Sequence, residues 1–211
     1  MNSIDYDTMN KLIMSGNSAY EYAWSNYEML SQRKAAYVLY GPPTNYLGVL
    51  AAGHLTPAKE RKVKKETRRK RYIQYELDEN YHILRIRHMR DYDKTECTYH
   101  IFEQNGIVYG CPFYQDQKIR YPAKTVAVKY TGEKPEYFAM TSHNYLCVDY
   151  YEYPLPNRVK TTCYLYLPMS IYSAAGVRRS EDAPFGSTNS PVTIDQSEEE
   201  YNHIDFSLLC K

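Results

Sequence analysis

The chain has 211 residues, of which 43% are hydrophobic and 24% charged, and its formal net charge is only +1. A chain of this length can bury roughly 70% of its unfolded surface, so it does not need disulfides or metals as staples. Its cysteines are five in number and show no C-x-x-C spacing, which argues against a disulfide framework and a zinc knuckle; they are Cys97, Cys111, Cys147, Cys163 and Cys210.

Membrane insertion and export are not indicated by the sequence. No apolar run approaches the roughly 18 to 20 residues that cross a bilayer. The first residues, MNSIDYDTMNK, carry acids and amides where a signal peptide would need a basic and then an apolar segment. We therefore expect a cytoplasmic protein with reduced thiols, without a cofactor, a bound metal or a membrane partner.

Composition divides the chain into three regions that we expect to form one globular domain. Residues 1–70 predict a helical segment, residues 71–170 an antiparallel sheet, and residues 171–211 an irregular acidic tail. The predicted fold class is therefore α+β, with N-terminal helices followed by an antiparallel β-meander.

Two helices are predicted in the first forty residues. The segment TMNKLIMSG predicts a short helix that stops at Gly16, a plausible glycine cap. A longer helix follows over SAYEYAWSNYEMLSQRKAAYVLY, where Ser18 and Glu21 have the spacing of a capping box. It would end before Gly41-Pro42-Pro43. One buried stripe is predicted at helical spacing, formed by Tyr20, Trp24, Tyr27 and Leu30.

The strongest signal is the basic stretch KERKVKKETRRKR, residues 59–71. Thr56 and Pro57 stand where an N-cap and a first helical residue belong, so a basic helix is predicted from Pro57. Its nine cations outnumber Glu60 and Glu66 by seven, and the remainder of the chain is negative. The cations are Lys59, Arg61, Lys62, Lys64, Lys65, Arg68, Arg69, Lys70 and Arg71.

A helix that is polar all round either bridges solvent or meets a polyanion. Nucleic-acid backbones attract such a patch through phosphate neutralisation and counterion release, so the nine cations are a candidate site for nucleic acid or a nucleoprotein complex. An acidic protein or membrane patch and a merely solvated helix are the alternatives. Without an apolar face, the stretch does not fit a helix that lies on a membrane.

From Arg71 the apolar period changes to two, which predicts a succession of strands. Short strands joined by tight turns favour an antiparallel meander over a parallel sheet. The predicted strands are YIQYEL, YHILRIRHM, CTYHIFEQ, IVYGCPFY, KTVAVKYT, YFAMTS, YLCVDYY and VKTTCYLYL.

The chain has 25 tyrosines against five phenylalanines and one tryptophan. In the last predicted strand, one face (Val159, Thr161, Cys163, Leu165, Leu167) points to a core, and the other (Lys160, Thr162, Tyr164, Tyr166) points to solvent or a partner. Exposed tyrosines can stack on bases or form protein hot spots, and they can equally close the rim of a sheet. The candidate interaction surface is Tyr150, Tyr151, Tyr153, Tyr164 and Tyr166.

Enzyme signatures are weak. Asn105-Gly106 predicts a two-residue turn that pairs Phe102 with Tyr109 and His100 with Cys111. A His–Cys pair can provide a thiolate or two metal ligands, but its apolar neighbours favour simple packing. Asp91 and Asp93 have a spacing that metal-dependent nucleases use, although turns prefer Asp for backbone reasons. A metal-independent ribonuclease acting through His82, His88 or His100 is the third hypothesis for function.

The acidic tail offers another possible surface. Asp195, Glu198, Glu199 and Glu200 could fold onto the basic helix or mimic nucleic acid against a partner, although a solvated tail is the simpler interpretation. The leading hypothesis is a non-catalytic protein that binds nucleic acid or a nucleoprotein complex through residues 59–71. The alternative is a protein-directed inhibitor or immunity-type factor that blocks a partner through the tyrosine-rich sheet or the tail.

Overall fold

The computed structural model describes residues 6–41, 72–90, 94–114, 125–132, 134–142, 145–155, 158–167, 186–187 and 192–197. Within these residues, two helices precede an antiparallel sheet, so the predicted α+β class is confirmed.

Helix α1 (Tyr6–Ser25) is continuous, and the short helix α2 (Tyr27–Gln32) follows it. The predicted stop at Gly16 and the capping box at Ser18 are wrong, because both residues lie inside α1. Gly16 faces the sheet, where a Cβ atom would overlap the hydroxyl of Thr141 and lie 3.1 Å from its Cβ. The glycine therefore permits close approach of helix and sheet. The buried side chains of α1 are Met9, Leu12, Ala19, Tyr20 and Ala23.

The predicted second helix ends earlier than expected. Strand β1 (Tyr37–Gly41) occupies residues that we predicted as the end of that helix. Its residues Y-V-L-Y are aromatic, β-branched or apolar, and such residues fit a pleated surface. Pairing with β2 in the register Tyr37 to Leu77 and Gly41 to Ile73 decides the outcome, because tertiary pairing overrides local helix periodicity.

Nine strands form a meander in which each strand pairs antiparallel with the next. All eight strands predicted from the period of two are present. After β1 the strands are β2 (Tyr72–Leu77), β3 (Ile83–Arg90), β4 (Lys94–Gln104), β5 (Ile107–Tyr114), β6 (Thr125–Thr131), β7 (Lys134–Ser142), β8 (Tyr145–Leu155) and β9 (Arg158–Leu167).

Two further strands lie in the region predicted as an irregular tail. Strands β10 (Gly186–Ser187) and β11 (Val192–Ser197) both pair antiparallel with β9, along the edge that β8 leaves open. The tail therefore differs from the prediction at these two strands. Alternation of Val192 and Ile194 with polar residues is the local signal that we did not use. Glu198 to Glu200 lie outside the described residues.

The β4–β5 hairpin follows the prediction closely. Asn105 and Gly106 have φ values of 54° and 73°, as a two-residue turn of the primed type requires. Phe102 pairs with Tyr109, and His100 pairs with Cys111. The predicted register of this hairpin is confirmed.

Both faces of the sheet carry apolar side chains. We call the face that contacts α1 the helix face; it bears Phe102, Tyr109, Cys111, Ala139, Leu146 and Val148. The other, the far face, bears Ile73, Tyr75, Ile86, Tyr99, Val126 and Val128. Since successive residues of a strand point to opposite faces, near-continuous apolar strands such as β6 place one set on each face.

Candidate functional site

The basic stretch 59–71 lies outside the described residues, and so does the helix predicted for it. The strands that flank it are described. Gly41 at the end of β1 pairs with Ile73 near the start of β2, so the ends of segment 42–71 are neighbours. A segment with nine cations therefore leaves the sheet and rejoins it at one point on its edge.

Antiparallel topology brings other connections to the same end of the sheet. We call it the loop end; there β1, β3, β5 and β7 finish and β2, β4, β6 and β8 begin. Segment 115–124, between β5 and β6, joins the sheet at the loop end and contains Lys118, Arg120 and Lys124 against Asp116. Strands β2 and β6 are four spacings of ~4.8 Å apart, or about 19 Å across the sheet.

The turn between β2 and β3, at the opposite end of the sheet, is acidic. It contains Asp78 and Glu79. The Asp78 carboxylate accepts hydrogen bonds from the backbone amides of Asn80 (2.8 Å) and His82 (2.9 Å). These bonds lower the pKa of Asp78, although burial acts in the other direction and is the largest single influence. The longest basic connection and this acidic turn thus lie at opposite ends of the strands.

The candidate tyrosines that the structure describes lie on both faces of the sheet. Tyr150 and Tyr164 lie on the helix face, with their ring centroids 6.1 Å apart, and both are half-buried against its core. Tyr151 packs against the core of the far face instead. The hydroxyl of Tyr153 donates to the Pro135 carbonyl at 2.9 Å.

Tyr166 lies in β9 opposite Leu146. Of the five tyrosines, Tyr150, Tyr151 and Tyr164 are thus tied to packing, and the hypothesis of a shared interaction surface stays a prediction.

The alternation predicted in β9 is seen where side chains are described. Val159 and Thr161 are buried and lie on the far face, as expected for the core set. Tyr164, which we placed in the set facing solvent or a partner, lies on the helix face and packs against the core there.

The His100–Cys111 pair lies inside the protein, with 2% and 0% of the two residues exposed. Burial raises the pKa of the Cys111 thiol to about 12. Burial, followed by the charges of Arg85 and Arg33, lowers the pKa of His100 to about 4. At neutral pH the pair is therefore a thiol beside a neutral imidazole. This state supports packing rather than a thiolate nucleophile.

The other residues considered for catalysis do not converge on His100. His82 lies in an exposed turn, 3.2 Å from a carboxylate oxygen of Asp78. His88 pairs with Glu96 at 3.1 Å and is opposite Ile73 of the far face. Asp91 and Asp93 lie outside the described residues. Among the residues that the structure describes, no group of three or more His, Cys, Asp or Glu could hold a metal ion.

A buried charged cluster lies next to His100 on the helix face. We call it the arginine cluster; it consists of Arg33, Glu76, Arg85, Arg87 and His100. Arg85 and Glu76 are each only 5% exposed, and the Arg85 Nε donates to a Glu76 carboxylate oxygen. The other Glu76 oxygen lies 2.7 Å from Nε of Arg87 and accepts from Gln74 at 2.9 Å.

The same arginines hold the end of α2 on the sheet. Arg85 donates to the carbonyls of Leu30 (3.2 Å), Ser31 (2.9 Å) and Arg33 (2.7 Å), which have no helical partner beyond the last turn. Arg33 in turn donates to the Leu84 carbonyl at 3.0 Å and to that of Ile101. The cluster therefore acts as a helix C-cap and links α2 to β3 and β4 by hydrogen bonds.

Sequence reasoning missed this cluster, although a signal for it exists. Gln74 and Glu76 alternate with apolar residues in β2, and Arg85 and Arg87 do so in β3. Pairing the two strands across the turn at Asp78 to His82 places Glu76 opposite Arg85. What could not be foreseen is that the end of α2 would cover these charges.

Comparison with protein-family models, with curated proteins and with solved structures finds no match to this chain. In the part of the chain that the structure describes, no helix combines the length and the apolar character needed to cross a membrane. Inferences about function therefore rest on the residues and the geometry given above.

Proposed function

We propose that this protein binds nucleic acid, alone or within a nucleoprotein complex, through the basic segment 59–71. The observation that carries the proposal is the charge of segment 42–71 together with the pairing of Gly41 with Ile73. The pairing places both ends of the segment at the loop end, and Arg71, the last of its nine cations, directly precedes β2. A cationic segment tethered at both ends presents a concentrated positive field to a phosphate backbone.

Segment 115–124 supports a nucleic-acid site at the loop end. Its three cations join the sheet at the loop end, about 19 Å from β2 by strand spacing. One nucleic-acid strand spans that distance with a few phosphates, so both segments can contact it at once. Phosphate contacts of this kind fix position and supply affinity without reading sequence.

Fluorescence anisotropy with labelled single- and double-stranded RNA and DNA tests the proposal. The wild type is compared with Arg68→Glu/Arg69→Glu across a salt series. Wild-type binding is expected to fall with salt, by roughly 0.7 to 0.9 in log K per log salt for each phosphate contacted. Reversing two cations is expected to weaken binding and to lower that slope by about two such contacts.

The matched control is Lys11→Glu/Lys34→Glu, which changes net charge by the same amount. Lys11 lies exposed on α1, outside both basic segments, and Lys34 lies exposed just before β1, which begins at the end of the sheet opposite the loop end. This control is expected to bind nearly as tightly as the wild type. Equal losses in both variants would mean that net charge alone governs binding. Absence of binding at low salt would contradict the proposal and leave a protein-directed role, such as a partner-blocking factor, to be tested.

A further inference from the structure

His100 occupies an unusual position between the helices and the sheet. Its ring meets the Tyr27 ring of α2 edge-on at 5.4 Å and the Phe113 ring of β5 edge-on at 5.2 Å. Its Nδ1 atom is buried and finds no hydrogen-bond partner among the residues that the structure describes, whereas the Leu30 carbonyl accepts a hydrogen bond from the ring. One ring nitrogen is therefore a bare acceptor that protonation would turn into a buried donor without a partner.

The charges that face His100 are mostly positive. Arg85 and Arg87 approach it from β3, and Arg33 approaches from the segment after α2. In the described part of the chain, the Glu76 carboxylate of β2 lies within this group, and it is already paired with the two arginines of β3. The thiol of Cys111 faces the ring from β5 and stays neutral, since burial raises its pKa to about 12. A protonated His100 would add a positive charge to a buried group that has three cations and one anion.

The attachment of α2 depends on this group more than that of α1 does. Helix α2 has six residues, and its end is held by the hydrogen bonds of Arg85 and Arg33 together with one buried side chain, Leu30. Helix α1 has twenty residues and rests on the apolar core of β5 to β8. Repulsion within the arginine cluster therefore acts first on α2.

We propose that His100 makes the docking of α2 an acid-sensitive latch, which is closed when the ring is neutral and opens when it is protonated, while α1 stays on β5 to β8. Opening uncovers the Phe113 ring, which is 5% exposed in the docked state, and frees the guanidinium groups of Arg33 and Arg85. It changes the surface of the protein without unfolding the sheet.

The sign and the pH window follow from the two states of the ring. Burial and the neighbouring arginines lower the pKa of His100 from 6.5 to about 4 in the docked state. The undocked state therefore binds more protons between these values, and docking weakens as pH falls from 6.5 towards 4. Above pH 6.5 the contribution to docking is complete. The ratio of the two protonation equilibria sets an upper limit of roughly fifty- to hundredfold on the increase in the opening constant at pH 4.5, because Arg85 and Arg87 remain next to His100 on the sheet.

Hydrogen exchange measured by mass spectrometry on the full chain tests this latch between pH 7.5 and 4. After correction for intrinsic exchange rates, residues 27–36 are expected to lose protection by up to that factor, while residues 125–141 in β6 and β7 keep theirs. The single tryptophan, Trp24, stacks on Phe113 at 6.0 Å and supplies a second readout, since its emission is expected to change over the same pH range.

His100→Gln is expected to abolish the transition in residues 27–36, because glutamine does not titrate. The control is His82→Gln, in an exposed turn, which is expected to leave the transition unchanged. A transition that persists in His100→Gln would overturn the proposal and point to a carboxyl group such as Glu76.

If His100→Gln does not fold, measurements on the wild type alone test the proposed latch. Ring-proton NMR is then expected to show one histidine that titrates well below pH 6.5, and the protection of residues 27–36 is expected to fall over the interval between pH 6.5 and that midpoint. Simultaneous loss of protection in both segments would mean global acid unfolding, and the latch would be rejected.

Discussion

Two regions of the helix face hold the helices by different chemistry. Over β5 to β8, α1 buries an apolar stripe against residues such as Tyr109, Ala139 and Val148. Over β2 to β4, the end of α2 rests on a buried ion pair and on hydrogen bonds from Arg85 and Arg33. Apolar burial stabilises the folded state in proportion to the apolar area removed from water, and it does not depend on the relative orientation of the contacting groups. A buried charge stabilises only when every partner is in place.

This difference indicates which of the two regions tolerates substitution. The apolar region is expected to tolerate substitutions that conserve side-chain volume. The free energy of packing α1 on it does not depend on a protonation step. The charged region is expected to tolerate few substitutions, because removal of one partner leaves an unpaired buried charge. It is also the region whose stability we expect to change with pH. Four substitutions test this difference between the regions, and they are given in decreasing order of expected effect.

Replacement of Arg85 by methionine is expected to have the largest effect. It leaves the Glu76 carboxylate buried without its main partner and removes the donor from three carbonyls at the end of α2. The expected loss in the free energy of unfolding is about 3–5 kcal/mol, measured by urea denaturation at pH 7. The double variant Arg85→Met/Glu76→Met is expected to recover part of this loss, since no unpaired charge remains. A single-variant loss below about 1 kcal/mol would contradict the view that the cluster holds α2.

Replacement of Gly16 by alanine tests the apolar region. Glycine to alanine inside a helix normally stabilises by about 0.8–1 kcal/mol. Here the new methyl group would overlap the Thr141 hydroxyl, so a loss of about 1–3 kcal/mol is expected from thermal or urea unfolding.

Two companion variants check the cause. Gly16→Ala/Thr141→Ala removes the overlapping hydroxyl and is expected to restore part of the stability, although the Cβ of residue 141 stays 3.1 Å from the new methyl. Asn17→Ala, at an exposed neighbouring position, is expected to gain a few tenths of a kcal/mol. A stabilised Gly16→Ala would show that α1 does not need its close approach to β7.

Replacement of Gly106 by alanine changes the hairpin that joins the two regions, since β4 bears His100 and β5 bears Phe113. Apart from the chain neighbours, no described residue lies within 4 Å of the added Cβ, so the expected cost comes from the φ of 73°. A loss of about 1 kcal/mol is expected. Gly132→Ala, at φ 64° and in equally open space between β6 and β7, is the matched control and is expected to cost the same. A much larger cost at Gly106 would indicate that the hairpin transmits strain between the regions.

Replacement of Lys160 by methionine measures an exposed ion pair for comparison with the buried one. Lys160 Nζ lies 2.6 Å from a Glu152 carboxylate oxygen, and the two side chains are 40% and 61% exposed. Solvent and salt screen such a pair, so a change of about 0–1 kcal/mol is expected, and it should shrink further at high salt. A cost that approaches that of Arg85→Met would remove the distinction between buried and exposed pairs in this protein.

Much of the sheet was predictable because its signals are local. Eight strands follow from a period of two, and the turn at Asn105-Gly106 fixes the register that pairs His100 with Cys111. The helical start of the chain was also predicted. The boundaries within this helical region were not predicted correctly, because a glycine at position 16 is compatible both with the end of a helix and with a close packing contact inside one. Only the position of Thr141 distinguishes the two.

The α+β class, the meander and the concentration of positive charge in residues 59–71 follow from the amino-acid sequence alone. These properties depend on periodicity, turn residues and composition, which are read along the chain. Tertiary structure decided that Tyr37 to Gly41 form a strand, that Tyr150 and Tyr151 lie on opposite faces, and that α2 closes over the arginine cluster. Those outcomes depend on contacts between residues far apart in sequence, whose free energies outweigh local preference.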